Sequence, residues 1–211
     1  NDAIVELVTM LSEQGKGVAA QEWVERIVTD WQRADAYTGI SKGYALSGDV
    51  VSSVVMLNHS IEIAQSITNF LHKSKPYIGI ANAFLLQGKI EESIETTKKI
   101  RDTVYKNDSY LNIAQYLATE SNVDSAIEIL GYITDDFERL KALVQVTTKL
   151  KSQASFTQTM AVFESALTVL DTIPDVQQRS KACCLVANTP HQRWFSWVGY
   201  IQRIIAVAAP T

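Results

Sequence analysis

Apolar residues recur along this chain in a pattern that copies itself. Tyr77, Ile80, Ala81 and Phe84 fall at i, i+3, i+4 and i+7, one face of an α-helix, and Gly88 follows four positions later. Tyr37, Ile40, Ser41 and Tyr44 with Gly48 overlay this set without a gap, as do Tyr110, Ile113, Ala114 and Leu117 with Ser121. The N-terminus holds the same offsets in Ile4, Leu7, Val8, Leu11 and Gly15, and fainter copies start at Leu140 and Ser180. The units therefore begin near 4, 37, 77, 110, 140 and 180, at spacings of 33, 40, 33, 30 and 40. Glycine after the fourth anchor suits the left-handed residue that ends many helices. A second apolar set then returns: Ala20, Val24, Ile27; Ser53, Leu57, Ser60; Ser93, Thr97, Ile100; Ala126, Leu130, Ile133. Its first member is always small, which permits close helix approach, while the polar members mark a degenerate copy. The pattern predicts an all-α chain of about five helix-turn-helix hairpins.

The spacing resembles the tetratricopeptide (TPR) pattern, with Tyr77, Ile80, Ala81, Phe84, Gly88 and Ser93 as the best match. The likeness extends over residues 1–150 and loosens beyond, and the consensus proline is missing apart from Pro174. The resemblance implies one domain, 1–211: a right-handed superhelical stack of TPR-like hairpins closed by a C-terminal capping helix at about 191–208. It also implies that first helices line a concave face where a peptide lies. Two residues after the middle anchor, that face would carry Lys42, Asn82, Gln115 and Gln145. Three of these are amides, able to donate to and accept from an extended backbone. The clamp that TPR proteins use for chaperone tails is not expected, because Thr38 and Ile78 stand where it needs other residues. Tyr37, Tyr77 and Tyr110 match the packing aromatic of the family.

Two units run seven residues long. In one the surplus lies within Asn58 to Lys75 and predicts a longer second helix; in the other it lies around Lys151 to Gln158, before a helical pattern from Met160 to Leu170. Repeat proteins place insertions on one edge, so this edge is a candidate site as well as a tolerated extension. Near the C-terminus, Trp194, Trp197, Tyr200, Ile201, Ile204 and Ile205 leave few polar positions, so this segment must be buried. Two readings are open: a lid on the last hairpin, or a homodimer contact through Trp194, Trp197 and Ile201. Arg203 alone supplies positive charge there, too little for a membrane surface.

Composition narrows the function. With 211 residues, 46% hydrophobic, a net charge of -4 and a pI near 5.4, the balance leans away from nucleic acid. No segment has the length of a membrane span, and a chain opening at Asn1 without methionine reads as trimmed. Adjacent Cys183 and Cys184 cannot readily bridge each other and suit a reducing, cytoplasmic setting. His59, His72 and His191 are scattered, so no metal site is expected. Glu91-Glu92 and Asp135-Asp136 read as helix starts and caps, and Gly15-Lys16-Gly17 as a turn. No catalytic residue and no cofactor emerge. The expected function is a scaffold or adaptor binding a protein or peptide on the concave face, with a dimeric secretion-type chaperone and an RNA-binding helical repeat as alternatives.

Overall fold

The computed structural model describes residues 2–150 and 156–187, and every regular element among them is a helix. In order these are α1 (Asp2–Glu13), α2 (Gly17–Val24), α3 (Asp30–Leu46), α4 (Val50–Ser66), α5 (Phe70–Leu86), α6 (Ile90–Lys98), α7 (Thr103–Thr119), α8 (Val123–Leu130), α9 (Asp136–Leu150), α10 (Phe156–Thr172) and α11 (Val176–Ala187). The chain divides into two compact units, Asn1–Ser109 and Tyr110–Thr211, with the boundary inside α7. Residues 188–211, and with them the capping helix, Trp194, Trp197 and Ile201, lie outside the described residues, as does much of the second surplus segment.

Turn chemistry fixes where each hairpin folds back. Gly15, Gly48, Gly88 and Ser121 all stand in the left-handed region, at φ 71, 83, 71 and 63°. There a residue after the helix turns the chain and lets the next amide reach back to the last carbonyls. Asp49 N, Lys89 N and Asn122 N donate in this way to Tyr44 O, Phe84 O and Leu117 O, each at 2.9 Å. The junction leading to the next hairpin has its own signature. Ile27, Ile67, Ile100, Ile133 and Ile173 are all buried, and each precedes by two residues the residue that opens the next helix: Thr29, Asn69, Asp102, Asp135 and Asp175. Four of these cap with their side chains: Leu71 N donates to Asn69 Oδ1, Tyr105 N to Asp102, Glu138 N to Asp135 and Gln178 N to Asp175, at 2.7–3.0 Å.

This junction sets the register. The five isoleucines are spaced 40, 33, 33 and 40, and ten residues after them stand Tyr37, Tyr77, Tyr110, Leu143 and Cys183. The copies expected from Leu140 and Ser180 thus begin three residues later. A shift of three stays on one helix face, so the apolar match at Leu140 and Leu143 hid it. In α11 the buried positions are Ala182, Cys183 and Val186, while Ser180 and Cys184 are exposed. Of the two cysteines only Cys183 packs in the core.

Second helices begin at a constant offset but differ in length. α2, α6 and α8 run for 8, 9 and 8 residues, so their last apolar anchors, Ile27, Ile100 and Ile133, sit just past the helix. α4 runs for 17 residues, the long helix that the surplus at Asn58 to Lys75 predicted; α10 is also 17 residues long. The polar anchors are not a lapse in the repeat. Ser41 Oγ donates to Ser53 O at 2.8 Å, Ser60 Oγ to Ala34 O at 2.7 Å, and Thr97 and Ser109 share a bond of 2.7 Å. Buried hydroxyls satisfied across the helix pair keep the backbones close, while the buried Ser93 Oγ has no hydrogen-bond partner among the described residues.

In the first unit α3 is central, packed on α1, α2, α4 and α5. Val8, Val24, Ile27, Tyr37, Ile40 and Met56 form one buried cluster, and Ala34, Leu57, Ala64, Tyr77, Ile80 and Ile100 another. Tyr37, Tyr77 and Tyr110 are each at most 7% exposed. Burial together with the hydroxyl's bond to Glu25 pushes the Tyr37 phenol well above its ordinary pKa.

Candidate functional site

The first helices of the first unit present a stripe of polar and aromatic side chains that the core does not consume. On α3, Asp35, Gly39 and Lys42 stand at i, i+4 and i+7; on α5, His72, Lys75, Gly79 and Asn82 hold the matching face. A methyl group placed on Gly79 would lie 3.1 Å from Thr38 Cγ2 and 3.4 Å from Asp35 Oδ1, so glycine lets α3 approach there. A methyl on Gly39 would meet nothing within 4 Å. The face is therefore tight along one helix contact and open in front of the other glycine.

Its charged end is organised. The Lys75 ammonium lies 4.6 Å from the centre of the Trp31 ring, a cation–π arrangement, and the His72 ring lies 6.0 Å from Trp31 at a tilt of 42°. Asp35 is exposed as a residue, but partial desolvation of its carboxyl beside Gly79 raises its pKa above the usual carboxylate value, and Lys75 opposes that rise. Of the two first-unit residues singled out from the sequence, Lys42 is exposed and Asn82 half-buried. Trp31, Asp35, His72 and Lys75 were missed because they precede the Tyr37 and Tyr77 anchors, in two helical turns that α3 and α5 add before the template. The column two residues before each aromatic, Asp35 then Lys75, was the signal.

In the second unit, Lys149 Nζ donates to Gln115 Oε1 at 3.1 Å. Gln145 is exposed, but with the register corrected to Leu143 the position equivalent to Lys42, Asn82 and Gln115 is Thr148, which is also exposed. Gln145 is thus one helical turn off the column on which the resemblance placed it.

The other chemical candidates resolve into structure. Asp135 caps α9, and Asp136 accepts from Arg139 at 2.5 Å and from Thr172 at 2.8 Å. Glu91 and Glu92 lie in the first turn of α6, where the helix dipole favours them. His59 rests against the Tyr37 ring at 5.3 Å. Burial raises the pKa of the Cys183 thiol, which disfavours the nucleophilic thiolate. Among the described residues no three His, Cys, Asp or Glu side chains converge as a metal site would require, and no helix is long and apolar enough to cross a membrane.

No family model and no curated protein matches the chain. Solved structures similar to it include the TPR-like repeats of a putative kinesin light chain from Podosopora anserina, at 15% identity and a TM-score of 0.49, covering 82% of this chain and 97% of that one. A point variant of the same protein gives 15% and 0.49, covering 80% and 93%. Ton1535 from Thermococcus onnurineus NA1 is similar at 17% identity and a TM-score of 0.42, covering 97% of this chain and 56% of that one.

Proposed function

We propose that this chain is a protein-interaction scaffold that receives an extended peptide on the first-helix face of its first unit. What supports this reading is the open space in front of Gly39, which we read as a trough, on a face where α3 also carries Asp35 and Lys42 and α5 carries Lys75, against Trp31, and Asn82 at matching positions. A glycine floor admits a main chain closely, an amide such as Asn82 can donate to it and accept from it, and Lys42 supplies a charge. Helical repeats present such faces without forming a reaction centre, and fold alone does not name the ligand.

The test is affinity capture from the native lysate with the wild type and with a Lys42→Glu, Asn82→Ala variant, read by mass spectrometry at two salt concentrations. Helicity should be unchanged, since one residue is exposed and the other half-buried. A protein retained by the wild type and lost by the variant supports the reading. A partner retained by both moves the interface off this face, and recovery of nucleic acid that falls steeply with salt replaces the reading altogether.

A further inference from the structure

The surplus turns of α4 border a cleft. Because α4 runs on to Ser66 while α6 stops at Lys98, a step opens at this edge of the first unit, and the step is a cleft of about 610 Å³. Four cations line it: Lys73 from α5, and Lys98, Lys99 and Arg101 from the end of α6 and the junction after it. No carboxylate lines it, in a chain whose net charge is -4. Two of the four have structural duties. Lys73 Nζ donates to Gln65 O at 2.8 Å, steadying the end of α4, and Lys98 pairs with Glu95 at 2.7 Å. Lys99 and Arg101 are exposed, and among the described residues neither forms an ion pair. Lys99 complements the carboxyl end of α6; Arg101, beyond the helix, has no such role.

The wall beside these cations is apolar. Phe70 is 51% exposed at the mouth, with Ile67 and Tyr77 behind it. Tyr77 and Lys99 also line an adjoining cleft of about 160 Å³, which adds Ile61, Ile80 and Phe84 but also Glu92 and Glu95. Across the two adjoining clefts, positive charge therefore gives way to apolar surface and then to negative charge.

We infer that this cleft docks a short acidic segment of a partner protein, its carboxylates on Lys99 and Arg101 and a neighbouring apolar side chain against Phe70. An Arg fork meets a carboxylate with two parallel donors, and the charge of the cleft is complementary to such a segment. A nucleic acid strand carries its charge continuously and would run from the cations onto Glu92 and Glu95, whereas a peptide changes character from one residue to the next. The site is separate from the Gly39 trough and does not depend on it.

The experiment is selection of a random peptide-display library on the intact chain, in parallel on the wild type, on Lys99→Gln with Arg101→Gln, and on the trough variant Lys42→Glu with Asn82→Ala. Wild type should enrich adjacent Asp or Glu beside an apolar residue. That enrichment should vanish on the cleft variant and persist on the trough variant. One enriched peptide, followed by fluorescence anisotropy, should bind the cleft variant about tenfold more weakly and lose affinity as salt rises. Thermal unfolding checks that the variant folds, and Lys99→Arg with Arg101→Lys should keep the binding. The inference is overturned by selection without acidic enrichment, by enrichment that survives in the cleft variant, or by an oligothymidine that binds more tightly than the peptide at equal salt.

Discussion

The hairpins α3–α4 and α5–α6 begin as the same object and end differently. Both first helices run for 17 residues and bury a tyrosine, and both turn on a left-handed glycine, at Gly48 and Gly88. Their second helices start at the same offset and place a buried serine first, Ser53 and Ser93. After the third anchor they part. In α6 that anchor is Ile100, followed at once by the Asp102 cap, and the chain must turn. In α4 it is Ser60, whose hydroxyl is taken by Ala34 O, and the apolar face continues through Ala64 to Ile67 before the Asn69 cap. The stopping signal has moved by two turns with nothing upstream disturbed. A repeat can thus acquire a ledge by postponing one junction, and here the ledge builds a cleft.

The largest expected effect follows from undoing the postponement. Deleting Ser60 to Ser66 places Ile67 in the slot that Ile100 fills and returns the hairpin to the 33-residue spacing. The variant should stay helical and unfold cooperatively, with a loss of roughly 2–4 kcal/mol from the missing Ala64 packing and Ser60 hydrogen bonds, and acidic peptide selection should disappear. A chain that no longer unfolds cooperatively in calorimetry would mean that the two turns belong to the core and are not an addition to it.

How much of this was legible beforehand depended on which residues marked the copy. The tyrosines and turn glycines displayed the hairpins from residue 37 to 121, and even Ser121, a poor left-handed residue, was placed by its offset alone. Beyond that the aromatic is replaced by Leu143 and Cys183, and apolar neighbours three residues away satisfy the same helical period, so the register slipped. The sharper signal was the buried isoleucine two residues before a cap, which is irregular backbone and invisible to a helical period. For the proposed trough, Lys42 and Asn82 were singled out by their fixed offset from the anchor, while Asp35 and Lys75 lie upstream of it. For the cleft, the seven-residue surplus pointed to the edge, but Lys73 and Arg101 come together only once the lengths of α4 and α6 are known.

A smaller effect sharpens the contrast inside the two second helices. Thr97 Oγ1 shares its hydrogen bond with Ser109 in a fully buried pair. Thr97→Val keeps the volume and orphans the Ser109 hydroxyl, which should cost about 1–3 kcal/mol, and adding Ser109→Ala should recover part of the loss because no unpaired group remains. Calorimetric midpoints of the two variants decide it. A double variant less stable than Thr97→Val would show that the hydroxyls act through packing.

The smallest effect concerns the first turn, where the two hairpins also differ. Asp49 caps α4 by accepting from Ser52 N at 3.0 Å, whereas Lys89, at the same position before α6, offers no side-chain cap. Lys89→Asp should therefore stabilise the chain by about 1 kcal/mol, and Asp49→Ala should lower the unfolding midpoint. Hydrogen bonds from Ser52 hold the Asp49 carboxyl below its ordinary pKa. A carboxylate depressed in the folded state stabilises above its unfolded pKa and loses that contribution as pH falls through the folded one. The gap between wild type and Asp49→Ala should thus be complete at neutral pH, shrink through the acid range and close once the folded carboxyl is protonated. A gap that stays constant down to strongly acid pH would assign the effect to the helix propensity of alanine and not to the ionised cap.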